Sequence, residues 1–153
     1  MGFSIADEAA RRGAEVILIS GPVHLQTVHS NITRIDVTSA QEMYEAALRY
    51  FPETDGAILS AAVADFRPAT KSNTKIKEKQ HLTIELDPNP DIAQELGKIK
   101  KENQVLAGFA LETNDELQHA KGKLERKNFD FIVLNSLADE GAGFGYDTNK
   151  VTV

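Results

Sequence analysis

The sequence contains no cysteine. Disulfides and thiolate metal sites are therefore excluded, and the composition suits a reducing compartment. No apolar run approaches the length of a membrane span. The opening residues are interrupted by Asp7, Glu8 and two arginines, so they do not read as a signal peptide. A soluble, cytoplasmic protein is expected. Positive charge is in deficit: the formal net charge is -6. That balance argues against nucleic acid or an anionic membrane as the main partner. It leaves room for a nucleotide, which needs only a locally basic pocket. Several catalytic signatures are also missing. There is no complete Walker A motif, no Gly-x-Gly-x-x-Gly, no His-Glu-x-x-His and no Gly-x-Ser-x-Gly elbow. His24 and His29 lie in a loop, and His81 and His119 are isolated. A zinc hydrolase, a serine hydrolase and a P-loop enzyme all lack support.

What is present is an ordinary globular mixture of 153 residues, with 41% hydrophobic and 26% charged side chains. That length suits one domain with a useful core. The chain is organised around Asp55 to Pro68. Gly56 to Ser60 is apolar without alternation, as in a strand buried on both faces of a parallel sheet. Small residues follow at Ala61, Ala62 and Ala64, then Asp65, Phe66, Arg67 and Pro68. In an open α/β sheet, ligands bind outside the carboxyl ends of the strands, which is where these residues fall.

The remaining segments fit the same plan. Helices are expected over Phe3–Arg12, from a capping box at Thr38/Gln41 or Ser39/Glu42 to Tyr50, from Asp91 to Lys101, and over Asp115–Lys127. Further strands are expected at Glu15–Ser20, Ile32–Val37, Leu82–Leu86, Val105–Ala110, Phe131–Asn135 and Val151–Val153. Arg67–Gln80 reads as a polar surface flap and Gly141–Gly145 as a loop. Alternating helices and strands indicate an α/β, Rossmann-like layered sheet, mostly parallel, with helices on both faces. Such domains usually open with a strand and a glycine-rich turn. This sequence opens at the helix and stops inside a strand, so one nucleotide-binding domain clipped at both ends is expected.

Several short patterns carry two readings each. Lys75, Lys77 and Lys79 alternate, so in an extended segment all three amines share a side. They either close over a polyphosphate or form a solvated row that blocks edge pairing. Lys123 and Lys127 share a helix face, either as two point charges for phosphate oxygens or as surface lysines. Pro88-Asn89-Pro90-Asp91-Ile92 is a stiff turn that reads a base edge or simply caps a helix. Phe109, ending a buried strand, flanks a base or fills the core.

Taken in order, these stretches resemble one family, phosphopantothenate–cysteine ligase of coenzyme A biosynthesis, in its bacterial form. The resemblance rests on Met1-Gly2-Phe3, Arg11-Arg12-Gly13-Ala14, Ser20-Gly21-Pro22-Val23, Ala61-Ala62-Val63-Ala64-Asp65-Phe66-Arg67 and Lys75-Ile76-Lys77. It continues through Asn89-Pro90-Asp91-Ile92, Gly108-Phe109-Ala110-Leu111-Glu112-Thr113, Lys127-Asn128, and Gly143-Phe144-Gly145 with Asn149. The resemblance implies a two-step ligation. The carboxylate of 4′-phosphopantothenate attacks the α-phosphate of CTP and releases pyrophosphate. The amine of cysteine then displaces CMP. Positioning and charge neutralisation, with Mg2+ on phosphate oxygens, supply most of such catalysis.

Carried over by position, Leu59, Ser60, Ala61 and Asp65 touch the nucleotide, and Ala61, Ala62 and Asp65 line the pantothenate site. Lys75 is the flap lysine and, with Asp65, a catalytic candidate. Pro90, Asp91, Ile92 and Ala93 recognise cytosine, and Phe109, Lys123 and Lys127 complete the nucleotide pocket. The resemblance further implies a homodimer, with Leu82–Leu86 and Val151–Val153 as candidate contacts, and fusion to a flavin-dependent decarboxylase. No nucleic-acid or membrane partner is implied. The family's glycine-rich turn, an asparagine for the acyl-cytidylate step and a dimer-crossing arginine would precede Met1. Glu78 stands where a further lysine is common. The 153 residues alone are therefore expected to lack ligase activity. Two other readings stay open: a dinucleotide-binding oxidoreductase, with Asp36 as its acidic residue, and a non-catalytic interaction domain.

Overall fold

The structure, a computed structural model, describes residues 1–72, 74, 75, 77, 83–112, 116–136 and 150–153. Helix α1 (Gly2–Arg11) buries its alanines Ala6 and Ala10 and lies on strands β1 (Val16–Ser20) and β2 (Ile32–Asp36). Small residues on that face permit close approach, and Arg34 of β2 stacks its guanidinium 5.3 Å from the Phe3 ring centre. β1 and β2 pair in parallel, Val16 opposite Ile32 and Ser20 opposite Asp36.

Helix α2 (Ala40–Tyr50) starts at Ser39, whose hydroxyl accepts from the Glu42 N–H at 3.2 Å. The Glu42 carboxylate reaches back to the Thr38 N–H at 2.7 Å. This is the second of the two expected capping boxes, with its return bond shifted one residue outward. Phe51–Glu53 forms a 3-10 turn around Pro52. Its carbonyls are not left orphaned: buried Gln104 donates to the carbonyls of Phe51 (2.8 Å) and Thr54 (2.6 Å).

The main sheet has four strands in the order β3 (Gly56–Leu59), β6 (Val105–Glu112), β7 (Phe131–Ser136), β8 (Val151–Thr152). The first three are parallel and β8 is antiparallel. Helices α3 (Ile92–Ile99) and α4 (Glu116–Arg126) make the connections on either side of β6. Leu96 and Leu106 are fully buried, joined by Phe51, Ile92, Phe129, Ile132 and Leu134. A short antiparallel pair, β4 (Phe66–Pro68) and β5 (Leu86–Pro88), stands apart.

The structure departs from the sequence reading in three places. The parallel strands do not form one continuous sheet: β1–β2 and β3–β6–β7–β8 are separate, with no pairing between β1 and β3 among the described residues. β3 is consequently an edge, and Ile58 is 52% exposed where burial on both faces was expected. Arg67 and Pro68 belong to β4 rather than to a flap, and the strand expected at Leu82–Leu86 lies later, at Leu86–Pro88. Exposed three-residue strands with proline at one end carry no periodicity to read, and proline is tolerated there because the edge needs no further donor. Ile76, Glu78, Lys79, His81, Leu82, Thr113, Asp115, the Gly141–Gly145 loop with Phe144, and Asn149 lie outside the described residues.

Candidate functional site

Beyond Leu59 the chain leaves β3 and enters Ser60–Asp65, and the β4–β5 pairing brings this loop beside Asn89. Asn89 is the clamp. Its N–H donates to the Asp65 carbonyl at 2.7 Å. Its side-chain amide donates to the Ala64 carbonyl at 2.9 Å and accepts from Arg67 at 3.1 Å. Arg67 also donates to the Pro88 carbonyl at 3.1 Å. The loop after β3 is thereby tied to the turn that opens α3.

Asp91 is the N-cap of α3, accepting from the Gln94 N–H at 3.0 Å. Its second oxygen accepts from Lys127 Nζ. Burial works to raise the Asp91 pKa, but the bond from Lys127, the Gln94 N–H and the Lys127 charge outweigh it, so the carboxyl sits below its ordinary value. Lys127 is 8% exposed. It lies where α4 closes on α3: Asn128, in the left-handed region at φ 54, donates from its side chain to the Gly97 carbonyl at 2.9 Å. A side chain at Gly97 would overlap the Lys127 carbonyl. One helical turn earlier, Lys123 Nζ donates to the Phe109 carbonyl at 3.2 Å.

A cavity of about 950 Å³ connects these groups. One end is lined by Leu59, Ser60, Ala61 and Asp65, by Asn89 to Ala93, and by Lys123, Arg126 and Lys127. The other end runs down between β1 and β3, under α1 and α2. A smaller hollow of about 390 Å³ along α1 is lined by Met1, Ser4, Ile5, Glu8, Ala9 and Arg12, and Glu8 and Arg12 already pair with each other.

Most of the residues singled out in the sequence therefore share one hollow: Leu59, Ser60, Ala61, Asp65, Pro90, Asp91, Ile92, Ala93, Lys123 and Lys127. Ala62, Lys75 and Phe109 are not part of its lining. Lys75 is exposed, and Phe109 contributes its carbonyl to hold Lys123. Asn89 and Arg126 are further lining residues: the sequence marks Asn89 only as part of the Pro88–Ile92 turn, with no role of its own, and does not mark Arg126. An asparagine set between two prolines is a signal for side-chain-to-backbone bonding in a turn; Arg126 offered none.

Chemically, Lys123, Arg126 and Lys127 line a mouth built from small residues and a capped helix terminus, with Lys127 paired to Asp91 and Asp65 as a second carboxylate. That arrangement suits a ligand carrying several negative charges. Among the described residues no three His, Asp or Glu side chains gather to hold a metal. Asp65 offers a single carboxylate, a donor set that fits Mg2+ carried mainly by phosphate oxygens. No helix among the described residues is long and apolar enough to cross a membrane.

Comparison with known proteins agrees over the whole chain. A prokaryotic protein named cysteine/cysteine sulfinic acid decarboxylase, from an unknown organism, is 57% identical over 154 residues, covering 100% of this chain and 43% of that protein. The coenzyme A biosynthesis bifunctional protein CoaBC of Bacillus subtilis (strain 168) is 47% identical over 154 residues, covering 100% of this chain and 38% of its own length. The chain thus spans about two fifths of these curated relatives. The crystal structure of the C-terminal domain of a CoaBC protein superposes with a TM-score of 0.74 at 41% identity, covering 87% of this chain and 62% of that one. Residues 1–153 match the family described as the DNA/pantothenate metabolism flavoprotein C-terminal domain, and the chain belongs to that family.

Proposed function

We propose that this chain carries the phosphopantothenate–cysteine ligase site of coenzyme A biosynthesis and uses CTP as co-substrate. The observation that carries the reading is the single cavity in which Ser60, Ala61 and Asp65 meet Lys123, Lys127 and the Asp91-capped start of α3. The names of the bifunctional relatives and of the CoaBC C-terminal domain support it.

In this reading the triphosphate lies by Lys123, Lys127 and Arg126, with the α-phosphate toward Ser60 and Ala61, whose small side chains admit the pantothenate carboxylate. That carboxylate forms a bond to the α-phosphorus as the bond to pyrophosphate breaks. The cysteine nitrogen then bonds to the acyl carbon as CMP leaves. Catalysis comes from alignment and from cations facing the charge on the leaving phosphates. Mg2+, when bound with the nucleotide, adds neutralising charge on phosphate oxygens. Pro90–Ala93 recognise the cytosine through the turn backbone. Lys75 reaches the phosphates from a flap. The working form is a cytoplasmic homodimer, carried in a longer polypeptide with a flavin-dependent decarboxylase.

The test is thermal shift with two ligands. CTP with Mg2+ raises the melting temperature through binding to the native state. NADPH leaves it unchanged. Stabilisation by NADPH and not by CTP would overturn the reading in favour of an oxidoreductase.

A further inference from the structure

The two halves of the site mouth are held by different means. The turn at the start of α3 is fixed twice, by the Asp91 cap bond and by the Lys127–Asp91 ion pair. The loop after β3 has no such frame. Among the described residues, Ala61, Ala62 and Val63 make no hydrogen bond to another segment, and Val63 supplies the loop's packing against the core. The loop's polar anchors fall at the Ala64 and Asp65 carbonyls, and both end on Asn89. Asn89 is stiffly mounted. Pro88 and Pro90 fix their own φ, and a residue preceding proline is confined to extended backbone. Neither proline has an N–H, so Asn89 carries the main-chain donor of the Pro88–Pro90 stretch, and it goes to the Asp65 carbonyl at 2.7 Å. The side chain then uses both ends of its amide. Its oxygen accepts from Arg67, which also donates to the Pro88 carbonyl, so the nitrogen is aimed at the Ala64 carbonyl. A carboxylate in that place can accept but not donate, and an alanine can do neither.

We propose that Asn89 is a positioning residue of the ligation, setting the separation between the loop that receives the acyl carboxylate and the turn that holds the nucleotide. The inference rests on the ligase reading. In that reading a carboxylate oxygen bonds to the α-phosphorus beside Ser60 and Ala61 as the bond to pyrophosphate breaks, and pyrophosphate leaves with the electron pair. The loop therefore carries one reactant and the turn the other. Asn89 acts through the loop and does not need to touch the reacting atoms. Displacing one reactant against the other by about 1 Å is enough to cost about a hundredfold in rate. Lys123 is held by the Phe109 carbonyl and Lys127 by Asp91, neither through Asn89, so nucleotide affinity does not depend on the Asn89 side chain.

The experiment measures pyrophosphate release from CTP and 4′-phosphopantothenate by the longer polypeptide proposed above, as wild type, Asn89→Ala and Asn89→Asp. Asn89→Ala is expected to lower kcat by about thirtyfold to a hundredfold. The KM for CTP is expected to stay within about threefold, and the rise in melting temperature with CTP and Mg2+ to persist. Asn89→Asp retains the main-chain bond and a charged partner for Arg67 but loses the bond to Ala64, and is expected to match Asn89→Ala in kcat. Its pairing with Arg67 makes it the deciding variant if Asn89→Ala is too unstable to assay. A wild-type kcat in either folded variant overturns the proposal alone and leaves the ligase reading standing. So does a raised KM for CTP at unchanged kcat, which would make Asn89 a nucleotide contact. A loss that disappears when rates are divided by the folded fraction, from circular dichroism, also overturns it. Wild-type protein that binds no CTP and releases no pyrophosphate overturns the ligase reading, and this proposal with it.

Discussion

Replacing Asp91 separates two contributions that meet on one carboxylate. Asp91→Ala removes the cap bond to the Gln94 N–H, a loss of about 1 kcal/mol. It also strands Lys127, whose side chain is 9% exposed, without its counter-charge. Breaking a fully buried pair costs about 3–5 kcal/mol, but the Asp91 side chain is 44% exposed and solvent screens the pair, so about 1–2 kcal/mol is the fitting figure. The sum, about 2–3 kcal/mol, lowers the melting temperature by roughly 5–10 °C for a chain of this length. Asp91→Asn keeps an oxygen for the cap and loses only the charge, so it falls by about half as much. Adding Lys127→Met to Asp91→Ala removes the stranded ammonium and recovers part of the loss. The pH dependence carries a sign. The folded pKa of Asp91 lies below its ordinary value, so its contribution is complete above the unfolded value, near ~4, and disappears as pH falls through the folded one. Differential scanning calorimetry from pH 7 downward should therefore show wild type and Asp91→Asn converging below about pH 4. A gap that stays constant to the lowest pH, or an Asp91→Ala protein that melts with wild type, would refute the pairing argument.

Leu106→Ala, at a fully buried position on the central strand, is expected to cost about 2–5 kcal/mol in urea denaturation. Gly97→Ala drives a methyl group into the Lys127 carbonyl and is expected to cost about 1–3 kcal/mol, with a matching loss of CTP stabilisation as α3 is displaced. Lys123→Met is expected to keep the melting temperature of the free chain within a few degrees, and to weaken CTP binding by roughly tenfold at low salt, less as salt rises. Calorimetric titration at two ionic strengths checks it.

The alternation of helix and strand was legible because each segment carries its own period or cap. Ser39 and Asp91 announce their helices locally, and the bounds of α1, α2 and α3 fall within two residues of the expected ones. Asp65, Asp91, Lys123 and Lys127 could be gathered into one group only through family resemblance, since the Lys127–Asp91 contact spans 36 positions and no local pattern encodes it. The β4–β5 pairing joins Phe66 to Pro88 for the same non-local reason. The separation of β1 from β3 was invisible because apolar runs report burial but not which neighbour supplies it. Lys75 shows the converse: its alternating row is plain in the sequence, yet nothing in that row states which part of the molecule it faces.

The turn that follows α4 meets α3 peptide against peptide, at Gly97, Lys127 and the left-handed Asn128. The spacing at this contact is thus inherited from main-chain thickness, and any branch at position 97 would prise α3 away from that turn.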